Sequence, residues 1–222
     1  MKCNVLAIAA VLVGGVALSA CGSSSANNTT TTTGKKAPSS AAQLRAITKA
    51  ANSGKSATFQ ATWTSTSGGT TQSVTLEQSP PKSKFTTGGG GFVLNDGSAT
   101  YFCSSTSSCL KESTGTNPLG GLFSLYNGSS FVSAVSAYSN SAFLAAAGVS
   151  LKYSTQTFSG ISSTCLNISI HRVSGTRWCV SNKGVLTYWS AGTSKFVLTS
   201  YSTSVPAADL ALPVGATITT LQ

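Results

Sequence analysis

Phe59-Gln60-Ala61-Thr62-Trp63-Thr64 alternates apolar with polar side chains, and that alternation decides the fold. A period of two places Phe59, Ala61 and Trp63 on one face of an extended chain and Gln60, Thr62 and Thr64 on the other. Such a segment is a strand with one buried face. The pattern resumes after the turn signal Gly68-Gly69, where Val74 and Leu76 face the core and Thr75 and Glu77 face away. Pro80-Pro81 ends this second strand, Phe85 begins a shorter one, and Gly88 to Gly91 form a loop free to take either backbone sign. No lysine-serine pair follows those glycines and no helix opens after them, so they lack the requirements of a phosphate loop. Phe92-Val93-Leu94, the turn Asn95-Asp96-Gly97 and Ala99 to Cys103 read as a hairpin. An antiparallel meander has begun.

Outward from this meander the spacing becomes helical. Upstream, Pro38, Ser39 and Ser40 can cap a helix whose apolar side carries Leu44, Ile47 and Ala51 and which Gly54 stops. Downstream, Leu119, Leu122, Phe123 and Leu125, then Phe131, Val135 and Tyr138, then Ala142 to Ala147 make an apolar helical insert that ends at Gly148. The last third is strand again: Leu151 to Ser159, Cys165 to Arg172, Arg177 to Ser181, Val185 to Trp189, Phe196 to Thr203 and Ala216 to Thr220. Ser174-Gly175 and Asn182-Lys183-Gly184 are the expected turns, and Pro206 to Gly215 is a loop. The expected class is α+β: a strongly curved antiparallel sheet of about eleven strands, an unclosed half-barrel wrapped around a few helices.

The amino terminus sets the address. Lys2 precedes an apolar run, Val5 to Leu18, that has the length of a secretory signal core and is too short to span a bilayer unaided. It closes on Leu18-Ser19-Ala20-Cys21, which resembles the lipobox of bacterial lipoproteins. The resemblance implies cleavage before Cys21, a diacylglycerol thioether on Cys21, further acylation (palmitate among the expected chains) and retention on the outer face of the bacterial cell membrane. Two or more acyl chains hold a protein to a bilayer stably. Residues 1–20 are then a signal peptide, 21–37 the lipidated cysteine with a Ser/Thr-rich tether too polar to order itself, and 38–222 a single domain. Removing residues 1–20 leaves 222 − 20 = 202 residues carrying 13 basic and 4 acidic side chains. A chain of that length buries enough surface to fold as a monomer with no metal or partner.

In an oxidising compartment Cys103, Cys109, Cys165 and Cys179 are available for two disulfides. Local spacing favours Cys103 with Cys109 and Cys165 with Cys179. The second pair has its midpoint at residue 172, ahead of the Ser174-Gly175 turn signal, so a direct cross-strand bridge there requires a bulge or a lopsided loop. Neither pair has zinc-ligand spacing, and His171 is the sole histidine. Glu77, Asp96, Glu112 and Asp209 are the only carboxylates, scattered along the chain, and no G-x-S-x-G elbow occurs. Catalysis is therefore not expected, nor is a cofactor. The net charge of +10 is spread without a basic run, which argues against nucleic acid.

The order of lipobox, tether, helix, strand meander, helical insert and strand meander is accompanied by Cys165…Trp178-Cys179-Val180…Lys183-Gly184-Val185-Leu186 and by Val205-Pro206…Leu212-Pro213-Val214-Gly215-Ala216. Together they resemble the actinobacterial lipoproteins of the LppX and LprG type, related in fold to LolA and LolB. The resemblance implies a cavity between sheet and helices that holds acyl chains. By face alone, Phe59, Trp63, Phe85, Leu122, Phe131 and Tyr138 are the candidate wall residues for a lipid or other apolar ligand. The alternative is a non-enzymatic envelope scaffold or sensor with a packed core and no ligand.

Overall fold

The computed structural model describes residues 40–112, 126, 131, 148–171 and 173–220. Cys21, the tether, Leu122, Tyr138 and most of the helical insert lie outside them. Helix α1 spans Ser40–Ser53, ending at the glycine that the sequence offers as its stop, and continues into a 3-10 turn at Gly54–Ser56. The strands are β1 Phe59–Ser67, β2 Thr70–Ser79, β3 Lys82–Thr87, β4 Phe92–Asn95, β5 Thr100–Ser105, β6 Ser108–Lys111, β7 Val149–Phe158, β8 Ile161–Ile170, β9 Val173–Ser181, β10 Leu186–Ala191, β11 Ser194–Ser202 and β12 Thr217–Thr220. They form one unclosed sheet in the order β12-β6-β5-β4-β3-β2-β1-β11-β10-β9-β8-β7. No described helix is long and apolar enough to cross a membrane.

The unclosed, curved sheet expected from the sequence is present, with twelve strands among the described residues, the one beyond the sequence reading being Ser108–Lys111. One detail differs: the sheet is mixed, because β12 pairs with β6 in parallel. The cause is the loop after β11. It crosses β2 and β3 through a short 3-10 turn, Ala207–Leu210, and reaches β6 from the far side, with the Thr217 N–H bonded to the Ser107 carbonyl. A crossover of this kind is what a parallel pair needs.

Residues directly opposite in neighbouring strands share a face, so the register sorts the sheet into two faces. On the first, Trp63 stands between Val74 and Leu198, with Phe59, Ala61, Leu76, Phe85 and Val93 around it. Helix α1 packs on the same face farther along, where Ile47 and Ala51 meet Leu166, Ile168 and Val180. The polar face of β1 is not uniformly wet. Beneath β4 to β6, Leu94, Tyr101, Cys103 and Cys109 are covered by Leu212 and Ala216 of the crossing loop. Beneath β8 to β10, Cys165 and Cys179 are fully buried, and Phe158 stacks on Tyr188. A reading of one buried face per strand is thus too simple at both disulfides.

Both bridges follow the local spacing, each between directly opposed residues whose Cα atoms are 4.0 and 3.9 Å apart. The bulge required by the second is present. Ile168 opposes Thr176 but Ser169 opposes Ser174, so Gly175 is the extra residue. Ser174-Gly175 is accordingly not the turn. The chain reverses at His171, φ 49°, and Gly175 serves the bulge, where an added Cβ would stand 3.1 Å from the Ile168 carbonyl. In the loop-closure model the Cys165–Cys179 bridge contributes about 3 kcal/mol and Cys103–Cys109 about 2.4 kcal/mol. The double variant Cys165→Ala/Cys179→Ala should therefore melt at a lower temperature than Cys103→Ala/Cys109→Ala. Non-reducing peptide mapping should recover these two pairs, and a linkage between the two halves of the sheet would contradict the register.

Candidate ligand-binding face

Across the first face one register row reads Tyr153 on β7, Leu166 on β8, Trp178 on β9, Trp189 on β10, Phe196 on β11 and Ser65 on β1. Two bulges create this row. Between Leu186 and Tyr188 the β9–β10 register slips at Thr187, whose hydroxyl is buried and donates to Ser163 Oγ at 2.8 Å. Without that slip Trp178 would face Tyr188 instead of Trp189. The second slip, between Thr62 and Trp63, leaves Thr199 unopposed, and its hydroxyl donates to the Thr62 carbonyl at 3.0 Å.

The rings touch in sequence. Phe85 lies 4.9 Å from Tyr126, Tyr126 5.8 Å from Phe196, Phe196 5.4 Å from Trp189, Trp189 6.0 Å from Trp178 and Trp178 5.5 Å from Phe131, centroid to centroid. Trp63 joins at Tyr126, 5.0 Å away. Contacts of this geometry each add about 0.5–1.5 kcal/mol beyond area burial. The face therefore offers a continuous aromatic surface from β3 to β9.

Burial divides the surface in two. Trp63, Phe59 and Phe131 are fully buried, Phe85 and Tyr126 nearly so, whereas Trp178, Trp189, Phe196 and Tyr153 are half-buried. The Trp63 indole N–H donates to the Leu186 carbonyl at 2.6 Å, so its polar atom is satisfied. In contrast, Trp189 Nε1 and the Tyr153 hydroxyl are shielded from water and have no hydrogen-bond partner among the described residues. A buried polar atom left unpaired costs about 1–3 kcal/mol. Burial raises the Tyr153 phenol and pushes that of Tyr126 far above the usual tyrosine range, so both stay neutral at physiological pH.

Of the candidates that the sequence supplies, Phe59, Trp63 and Phe85 share the first face, and Phe131 reaches the same face beside α1. Leu122 and Tyr138 lie outside the described residues. Missing from the sequence-based set are Tyr126, Trp178, Trp189, Phe196 and Tyr153. A signal existed for two of them, since the Asn182-Lys183-Gly184 turn alone brings Trp178 and Trp189 within one residue of facing each other. Among the described residues, no three His, Cys, Asp or Glu side chains are grouped so as to hold a metal ion.

No family model matches the chain, and no curated protein matches it. Among solved structures, MucB is similar at 13% identity and a TM-score of 0.49, over 80% of this chain and 64% of that one. MucB in complex with MucA(peri) is similar at 11% and 0.43, covering 82% and 63%, and the Pseudomonas aeruginosa MucA/MucB complex at 12% and 0.42, also covering 82% and 63%. This chain thus spans less than two-thirds of the length of each. All three scores fall below one half, and nothing about function follows from them.

Proposed function

We propose that this protein is an envelope lipoprotein of the LppX and LprG type that holds an amphiphilic ligand against the aromatic face of its sheet. The observation that carries the reading is the half-buried row of Tyr153, Trp178, Trp189 and Phe196, two of whose polar atoms have no hydrogen-bond partner among the described residues. Ring faces suit an acyl chain, and the Trp189 N–H and the Tyr153 hydroxyl suit the ester or hydroxyl oxygens where chain meets head group. A scaffold with no ligand is favoured by one specific fact, the complete burial and hydrogen bonding of Trp63. The two readings differ at Trp189. In a carrier, Trp189→Phe keeps the ring, removes the donor and weakens ligand retention by about 2- to 10-fold, the worth of one hydrogen bond. In a scaffold, the same change relieves an unpaired group and leaves the protein slightly more stable. Native mass spectrometry with organic extraction decides: no adduct on the parent chain and a more stable variant would remove the carrier.

The anchor is a separate part of the proposal. Cys21 carries the lipid, and the mass of the amino-terminal peptide from membranes should exceed that of the unmodified peptide by a diacylglycerol. Cys21→Ala should abolish processing before residue 21. Cleavage there in the variant, with membrane retention after a salt wash, would count against the lipobox.

A further inference from the structure

The charges segregate across the sheet. Helix α1, the Gly54–Ser56 turn and strands β7 to β11 with their turns carry Arg45, Lys49, Lys55, Lys152, Arg177, Lys183 and Lys195 among the described residues, and no carboxylate. All four acids lie elsewhere: Glu77 on β2, Asp96 in the β4–β5 turn, Glu112 after β6, and Asp209 in the 3-10 turn packed on β2 and β3. Glu77 faces Lys84 at 3.4 Å, and Asp96 accepts from the Ser98 N–H, the Ser98 hydroxyl and the Ala99 N–H. In the β2–β6 half the charges nearly balance; in the α1 half nothing offsets them.

Within that basic half the fold gathers lysines that are far apart in sequence. The β9–β10 turn packs so closely on the end of α1 that a Cβ on Gly184 would stand 2.1 Å from the Gly54 nitrogen and 2.5 Å from the Ala50 carbonyl oxygen. Lys183 adjoins Gly184, Lys55 adjoins Gly54, and Lys49 adjoins Ala50; all three are exposed. Arg45, one turn before Lys49 on α1, is exposed as well. Like charges four residues apart destabilise a helix by about 0.2–0.5 kcal/mol, and α1 holds no acid to relieve them. Locally, then, the arrangement is unfavourable.

We propose that Arg45, Lys49, Lys55 and Lys183 form a docking surface for an anionic lipid bilayer. The composition favours a bilayer over an acidic protein. Protein interfaces are depleted in lysine and centre on apolar or aromatic anchors, whereas the exposed large apolar residues among the described ones, Leu110, Ile170, Val214 and Ile218, all lie outside the segments gathered at Gly54. Lysine ammonium groups need no fixed geometry to sit over a layer of phosphates, and each contributes about a fivefold gain near such a surface. The inference goes beyond ligand holding, for it concerns how the domain meets the membrane whether or not a ligand is present.

The test is co-sedimentation of the full chain with vesicles of phosphatidylcholine alone or of phosphatidylcholine with an equal part of phosphatidylglycerol. The apolar run 5–18 and Lys2, Lys35 and Lys36 are common to every variant, so differences report the patch. Lys49→Gln/Lys183→Gln should lower binding to the anionic vesicles about tenfold or more, and the gain of anionic over neutral vesicles should vanish near 1 M salt, where the screening length is ~3 Å. Lys82→Gln/Lys111→Gln, which removes the same charge from the other half, should matter much less. Unchanged melting curves for both variants exclude a folding defect. Equal losses for the two pairs would mean diffuse attraction and overturn the patch. Indifference to anionic lipid, with capture by polyglutamate, would assign the patch to an acidic protein and equally overturn it.

Discussion

Trp63→Ala should lower the melting temperature by roughly 10 °C or more. Loss of a core indole costs about 3–5 kcal/mol, and in a chain of this size each kcal/mol moves the midpoint by ~2–4 °C. Three features put Trp63 at the upper end. Its side chain is fully buried, it joins the aromatic chain at Tyr126, and its N–H reaches over β11 to the Leu186 carbonyl on β10. That bond spans 123 residues and ties the first meander to the second. Trp63→Phe should fall between parent and alanine variant, since it keeps ring contacts and loses the donor. Thermal unfolding of protein stripped of lipid is the measurement. A drop below about 1 kcal/mol would mean that Trp63 lines an open cavity and that the packed part of the face lies elsewhere.

The alternation at Phe59 to Thr64 was enough to place β1, its buried face and its hairpin with β2, because a half-buried strand must repeat every second residue. Helix α1 was legible for the same kind of reason, with Ile47 and Ala51 on one side and a glycine at its end. What the alternation cannot carry is register. The aromatic row depends on bulges at Thr187 and Thr199, each held by a side-chain hydroxyl whose partner is remote or across the strand. A one-residue slip exchanges Tyr188 for Trp189 opposite Trp178 and sends the ring to the other face. Strand β6 is four residues long with one apolar side chain besides its cysteine, too short to show a period. The basic patch was illegible for a different reason. Lys49, Lys55 and Lys183 look dispersed along the chain, and a single turn-on-helix contact brings their backbones together.

That contact makes Gly184→Ala the most damaging small substitution to test. Gly184 has φ 78°, a region that costs a residue with a Cβ about 1–3 kcal/mol. The atoms that the new methyl meets are backbone: the Gly54 nitrogen at 2.1 Å, the Ala50 carbonyl oxygen at 2.5 Å and the Gly54 Cα at 2.6 Å. No rotamer change clears them, so the β9–β10 turn and the end of α1 must separate, and such overpacking adds about 1–3 kcal/mol. Gln78 makes separation costlier, because its side-chain amide bonds the Gly54 carbonyl at 2.7 Å and the Ala57 carbonyl at 2.8 Å. Together these predict a loss of roughly 2–6 kcal/mol. Gly192→Ala is the control, with φ 55° and no atom of the described residues within 4 Å of the added methyl, and should show the conformational cost alone. Hydrogen exchange then separates local from global effects. If α1 is held to the sheet through this contact, its amides exchange faster in Gly184→Ala than in Gly192→Ala. Ile47 and Ala51 then withdraw from Leu166, Ile168 and Val180, which uncovers the Phe131–Trp178 end of the aromatic face. Equal stability losses in the two variants, with α1 protection unchanged, would show that the helix is held by its apolar face and not by the turn.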